Sequence, residues 1–216
     1  MRLLLLGNLY RDTILQLPVA KFGDSNVVNI HERLGGIYNI EQRHFPYFEI
    51  VYYPLNEVLA MILSESVISR RTSFCSKKIS NKNAVTLPDF DWAHIAYFDD
   101  IDLFPDISDK RYSVDFCKSE NREYYFSRLR NCELIFDSRE RGGLYDGIIT
   151  DKPIILHDQN GCECIINGRV VYEEHIEPVT NLHVNGAGDI FAAVFIEEYT
   201  RNGLEHACKI TPHRTT

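Results

Sequence analysis

The sequence predicts an α/β fold: a sheet with helices on both faces and a small β appendage. Three observations carry this expectation. The run Leu3-Leu4-Leu5-Leu6 is apolar at every position, which suits a strand covered on both sides; a half-exposed strand alternates instead. Strand-like runs alternate along the chain with helical patterns, the order expected when helices cross over a parallel sheet. Two strand-rich stretches, at about 12–34 and 66–88, fall outside that alternation and read as a separate small sheet.

Taken in order, residues 3–6 form the first buried strand, bounded by Gly7-Asn8. Strands follow at 14–17, 27–30, 48–53 and 67–74. Residues 55–63 have helical spacing, with Leu55, Val58, Leu59 and Ile62 on one face. Residues 92–98 read as a buried strand. The acidic run Asp99-Asp100-Ile101-Asp102 after it reads as a solvated loop, with cation binding as the alternative. A strand at 112–116, a helix at 122–129, a short buried strand at 134–136 ending at Asp137, and a strand at 153–156 come next. Residues 162–166 and 170–174 form a hairpin around Asn167-Gly168, a dipeptide suited to a tight two-residue turn. The last long helix starts near Gly186, carries a stripe of Phe191, Val194, Phe195 and Tyr199, and stops at Gly203. A short helix covers 204–210, and the tail 211–216, with Pro212, shows no periodicity.

Composition narrows the function classes. The 216 residues carry 31 acids against 23 bases, a formal charge of −8, and are 44% hydrophobic and 25% charged. That is ordinary for a folded chain, and the length fits a single domain over 1–216. The acidic balance disfavours nucleic acid and anionic membranes as partners, because both need clustered bases. No run approaches the ~18 apolar residues of a membrane span. Four leucines are too few for a signal peptide, so a reduced, cytoplasmic protein is expected. The six cysteines contain no CxxC pair. Cys162 and Cys164 share one strand face, which reads as ordinary buried thiols in preference to half a metal site. His94, His157 and Trp92 read as core residues.

The sharpest chemical signal is Asn185-Gly186-Ala187-Gly188-Asp189 ahead of the last long helix. Two glycines let the backbone turn tightly and approach a ligand. The first amides of a helix lack internal partners and carry partial positive charge, so such a loop can hold a phosphate. Asp189, in the first turn, can take the proton of an attacking hydroxyl. The competing reading is a tight loop with an acidic first turn. Leu34-Gly35-Gly36-Ile37-Tyr38-Asn39 and Gly7-Asn8-Leu9-Tyr10-Arg11-Asp12 are further candidates. Each also reads as a plain turn.

In this order the stretches resemble the ribokinase-like (PfkB) family of carbohydrate and nucleoside kinases. NGAGDIFAAVF resembles that family's C-terminal signature, ERLGGIYN its early glycine motif, and LLLLGNLYRDTILQLP its opening strand and acceptor loop. LIFDSRE resembles the strand ending in its Asn-x-x-Glu motif. The resemblance implies a doubly wound α/β domain with a β-sheet lid, and transfer of the ATP γ-phosphoryl group with Mg²⁺ to a hydroxyl of a sugar or nucleoside. It implies Asp189 as general base, with Gly186, Ala187 and Gly188 amides stabilising the phosphoryl group. Asp12, Gly35, Gly36 and Asn39 would hold the acceptor. Asp137, Glu140, Gly161 and Asn185 would serve the nucleotide and the magnesium–phosphate cluster, with no metal ligated directly. A homodimer through the lid is also in keeping with it.

The chain is shorter than most members and departs from the pattern. Asp137 replaces the motif's Asn. In the segment that usually reads Thr-x-Gly-x-x-Gly, Leu156 and Asp158 replace the hydroxyl and the first glycine. Val194 stands where glycine is frequent. Arg139 and Arg141 flank the phosphate region, either neutralising phosphate or pairing at the surface. The alternative function is therefore a catalytically degenerate relative that binds a sugar or phosphate metabolite as a regulatory or binding module.

Overall fold

Four leucines set the layering. Leu3 and Leu5 pack with Phe136, Phe191 and Phe195, whereas Leu4 and Leu6 pack with Ile95, Val114 and Ile135. All four are fully buried, because successive residues of a strand face opposite sides and both sides here are covered. In the computed structural model they begin β1 (Arg2–Leu17), inside an 11-stranded sheet. The structure describes residues 1–17, 29–36, 45–65, 68–70, 77–80, 86–101, 107, 109–118, 122–178 and 186–215.

The other strands are β2 (Asn29–Gly36), β3 (Glu49–Glu65), β4 (Ile68–Arg70), β5 (Lys77–Ser80), β6 (Trp92–Ile95) and β7 (Arg111–Asp115). They continue with β8 (Cys132–Ser138), β9 (Ile154–Asp158), β10 (Gly161–Ile166) and β11 (Arg169–His175). Their order is β11-β10-β9-β8-β7-β6-β1-β3-β4, with β2 added on β1 and β5 on β3. Pairing is parallel from β9 through β8, β7, β6 and β1 to β3. It is antiparallel for β10, β11, β2, β4 and β5. Helices α2 (Ala187–Asn202) and α3 (Leu204–Thr215) cover one face. The short α1 (Glu123–Phe126) and a 3-10 turn at Arg139–Tyr145 cover the other, with Tyr125 and Tyr145 in that core. This is the doubly wound α/β sheet that the sequence predicts. Its parallel strands bring the carboxyl ends of β6, β7, β8 and β9 to one edge, where such sheets present ligand sites.

Residues 55–63 are strand, not helix. From Asn56 to Glu65, β3 runs in register beside residues 8–17 of β1, and Asn56 to Leu59 also pair with β5. Backbone partners far along the chain outweigh the helical spacing, which cannot register them. The register slips where Gly7 faces Pro54 and Asn8 faces Asn56, leaving Leu55 as the extra residue of a bulge. Proline has no N–H to give a ladder, so a bulge is where a strand tolerates it. Beyond it, the outer halves of β1 and β3 join β2, β4 and β5 as a β appendage. The expected appendage strands at about 12–34 and 66–88 thus gain a third stretch, 56–65. Residues 18–28, 66–67, 71–76 and 81–85 lie outside the described residues.

Three smaller expectations change. The helix at 122–129 shrinks to α1. The tail 211–215 is helical, and α3 carries Pro212 inside it. Pro212 cannot bond the Cys208 carbonyl, which accepts instead from the Cys162 thiol at 3.4 Å. The acidic run is not a solvated loop over Asp99, which is buried in a 3-10 turn at Phe98–Asp100. Asp99 accepts hydrogen bonds from the amides of Cys117 (2.9 Å) and Lys118 (2.8 Å). Asp102 lies outside the described residues. The hairpin forms as expected, with Asn167 and Gly168 both at positive φ. Cys162, Cys164 and Cys208 are buried free thiols. Among the described residues no group of three or more ligating side chains is placed to hold a metal, and no helix is long and apolar enough to cross a membrane.

Candidate functional site

Gly186 caps α2 in the left-handed region, at φ 83, where a side chain would be strained. The first helical hydrogen bond runs from the Ile190 amide to the Gly186 carbonyl at 3.1 Å. The amides of Ala187, Gly188 and Asp189 therefore precede the helical ladder, and Gly186 at the cap has no side chain to bond them. Gly188 packs closely on its neighbour: a Cβ there would lie 3.3 Å from Cε1 of His157, and the ring would have to give by a few tenths of an ångström. The His157 ring stacks on Phe191 at 4.4 Å, and burial holds its pKa down at about 4, so it is neutral. Asp189 is 2% exposed, and Oδ2 accepts from the Tyr97 hydroxyl at 3.3 Å.

Tyr97 links this helix to β1. It follows β6 with φ 57 and ψ 51, a conformation that costs a bulky residue energy and tends to persist where function requires it. Its ring meets that of Tyr10 edge to face at 5.4 Å. The Tyr10 hydroxyl donates to Asp100 Oδ2 at 2.7 Å, and the Asn8 amide donates to the same oxygen at 3.1 Å.

A second group of charges closes the strand ends. Arg122, fully buried, donates to Asp137 from Nε (3.0 Å) and Nη2 (2.8 Å), and to Asp99 from Nη1 (3.2 Å). Asp137 also accepts from Tyr145 (2.7 Å), from the Ser138 amide (2.8 Å) and from Arg141 Nε (2.5 Å). The extra carboxylate at 137 is thus neutralised by two arginines. Asp115, at the end of β7, is the opposite case. Burial, then the charges of Asp189, Asp137 and Asp99, push its carboxyl well above the usual range, against Arg141. Tyr97, Asp115 and Arg122 escape sequence reasoning, since no local pattern marks them, and the acidic run that contains Asp99 and Asp100 reads as a loop without showing these partners.

The remaining candidates are placed less fully. Asp12 lies in β1 opposite Arg33, and Gly35 and Gly36 lie in β2 opposite Tyr10 and Leu9. Asp12, Gly35 and Gly36 thus fall in the appendage, on the strands that carry and pair with Tyr10, the tyrosine that leads to Asp189. Asn39 and Asn185 lie outside the described residues. Glu140 is exposed on the 3-10 turn. Gly161 has a packing reason of its own: a Cβ there would sit 1.9 Å from the Glu174 carbonyl oxygen. A recess of about 350 Å³ lined by Leu87, Phe90 and Lys110 lies at the starts of β6 and β7, the ends opposite to those that carry Tyr97 and Asp115.

No protein-family model matches the sequence, and no curated protein does. Solved structures match over nearly its whole length. The nucleoside kinase of Burkholderia thailandensis, in complex with inosine, superposes with a TM-score of 0.62 at 12% identity, over 99% of this chain and 89% of that one. The ribokinase of Cryptococcus neoformans var. grubii, in complex with ADP, gives 0.61 at 12% identity, over 99% and 92%. A pyrophosphate-dependent kinase in the ribokinase family, complexed with a pyrophosphate analog and myo-inositol, gives 0.60 at 14% identity, over 99% and 93%. Such identities speak for the backbone alone, and they agree with the strand order: this chain has the ribokinase-like α/β fold.

Proposed function

We propose that the chain is a kinase that moves the γ-phosphoryl group of ATP to a hydroxyl of a sugar or nucleoside. The observation that carries this reading is Asp189: a buried carboxylate in the first turn of a helix capped by a left-handed glycine, at the carboxyl edge of parallel strands. The acceptor oxygen attacks phosphorus, forming the new O–P bond. The bond from phosphorus to the bridging oxygen breaks, ADP leaves with that electron pair, and the acceptor's proton passes to Asp189. The amides of Ala187 and Gly188 stabilise the charge that develops on the phosphoryl oxygens. Tyr97 orients Asp189 through its hydroxyl. Asp12, Gly35, Gly36 and Asn39 hold the acceptor, and the β appendage serves as its lid.

The chemistry of the strand ends fits magnesium in part. Asp115 is a buried carboxylate crowded by like charges, a place where a cation is welcome. Phosphate oxygens and water would complete the shell, the usual arrangement for magnesium. The ion would supply neutralisation of the donor phosphates. Asp137 is unsuited to that role, because both its oxygens are already hydrogen-bonded. Glu140 and Gly161 gain less support as donor contacts than the α2 mouth does.

The test is an ATP-consumption screen over sugars and nucleosides, run beside Asp189→Asn. The variant should lose roughly 10²–10⁴ in turnover while still binding acceptor, the usual worth of a positioned base. Equal turnover in the two proteins removes the mechanism. One observation favours a second reading, a non-catalytic sensor: the metal-motif position is locked by arginines. Saturable acceptor binding with no ATP turnover across the screen would select it.

A further inference from the structure

We propose that Arg141 is a phosphate-binding residue, fixed by Asp137 so that one edge of its guanidinium meets the anhydride phosphates of the donor. This names a donor contact for the site read above as a kinase and rests on that reading for its location. Nε of Arg141 donates to Asp137 Oδ1 at 2.5 Å, and Nη2 donates to the Phe116 carbonyl at 2.9 Å. Nη1 has no partner among the described residues, and the side chain keeps 22% of its surface exposed. Both anchors are themselves fixed. Phe116 follows β7 and is 1% exposed, and Asp137 is fully buried under Arg122, Tyr145 and the Ser138 amide.

Register places Arg141 beside the α2 mouth. Its anchor Asp137 precedes Ser138, Ser138 pairs with His157 across β8 and β9, and the His157 ring abuts Gly188. A guanidinium held at two nitrogens has lost its rotamer freedom before the ligand arrives, so less is lost on binding. Asp189, the buried carboxylate at that mouth, repels a phosphate, which makes a fixed cation the more necessary. The arrangement also accounts for the acid at 137. An asparagine would offer one neutral oxygen where two arginines now share a carboxylate. Asp137, Arg122 and Arg141 thus act together: one arginine is buried as a strut and the other is presented. The chemistry recognised is a phosphate anhydride, as in a nucleoside diphosphate or in inorganic pyrophosphate.

The experiment titrates the full-length chain by calorimetry with ADP plus magnesium and, separately, with inorganic pyrophosphate. Wild type, Arg141→Gln and Arg141→Lys are compared, with thermal unfolding as the fold control. Lysine keeps the pair with Asp137 but cannot hold it and still present a second edge. Wild type should saturate with at least one anion, and both variants should bind it roughly 10- to 100-fold more weakly, the worth of one charge-assisted contact. Dependence with ADP alone identifies a nucleotide donor, and equal dependence with pyrophosphate identifies a donor read by its phosphates only; both support the assignment. Unchanged affinity in a folded Arg141→Lys, or no binding of either anion by wild type, overturns it. Anion binding that depends on Arg141, without turnover on any acceptor, keeps this assignment and removes the kinase. Turnover with unaltered donor affinity in Arg141→Lys does the reverse.

Discussion

His94 shows how much a single buried residue can settle. Trp92 Nε1 donates to Ser113 Oγ at 3.1 Å, and His94 Nδ1 shares a hydrogen bond with the same oxygen at 3.0 Å. His94 Nε2 is buried with no hydrogen-bond partner among the described residues. Burial pulls the pKa of His94 down to about 3, and that of His157 to about 4. An unfolded histidine titrates near ~6.5, so below that pH the unfolded chain binds protons that the native one refuses. Stability from these two residues is therefore complete above ~6.5 and is lost as pH falls toward 4 and then 3. Each amounts to on the order of 3 kcal/mol across that window. Urea midpoints should fall steadily from pH 7 to pH 5, and His94→Leu should flatten that fall by roughly half. A wild-type midpoint that stays level over the range would show that neither ring is buried as described. That His94 is a core residue is legible from the apolar run around it, whereas His157 is only half-buried. The bond of His94 to Ser113 is not legible, because Ser113 lies on another strand.

Elements were legible where their determinants are local. α2 begins and ends at glycines with positive φ, and the hairpin turns at Asn167-Gly168, all read from residues a few positions apart. The same helix also buries Glu197 and Glu198, which the apolar stripe does not foretell. Arg214, at the end of α3, pairs with both, and His206 lies 3.2 Å from Glu198, so the extension of α3 past Pro212 supplies the missing countercharge. Residues 55–63 fail as a helix for the complementary reason: their partners are β1 and β5. Gly161 is the element-scale test. Its φ of +133 and the 1.9 Å approach of a Cβ to the Glu174 carbonyl predict that Gly161→Ala breaks the start of the β10–β11 ladder. The expected cost is on the order of 3 kcal/mol by urea unfolding at fixed pH. A change below about 0.5 kcal/mol, within the range of neutral surface substitutions, would mean that the two strands do not pair there.

At the scale of the whole molecule, Arg122 fastens three strand ends together. It reaches Asp99 after β6, Asp137 at β8 and the Lys118 carbonyl after β7, and it stacks over Phe116 at 4.3 Å. Arg122→Met should cost about 3–5 kcal/mol, because two carboxylates would remain buried without their partner. Adding Asp99→Asn and Asp137→Asn should restore a substantial part of the loss, since the penalty comes from stranded charge more than from lost packing. Equal instability of the single and the triple variant would contradict that account.

By itself the sequence determined the buried strands, the glycine stops, the hairpin, and an aspartate in the first turn of a helix opened by a left-handed glycine. These depend on side-chain period and backbone freedom over a few consecutive residues. Only the tertiary structure decided that Asp99 is buried, that Asp137 is countered by Arg122 and Arg141, and that Tyr97 joins the appendage to Asp189. Arg122 and its acids stand 15 and 23 positions apart, and Tyr97 and Asp189 stand 92 apart. Burying a charge is tolerable only beside its counterion, and which counterion arrives is a property of how the strands are ordered in the sheet.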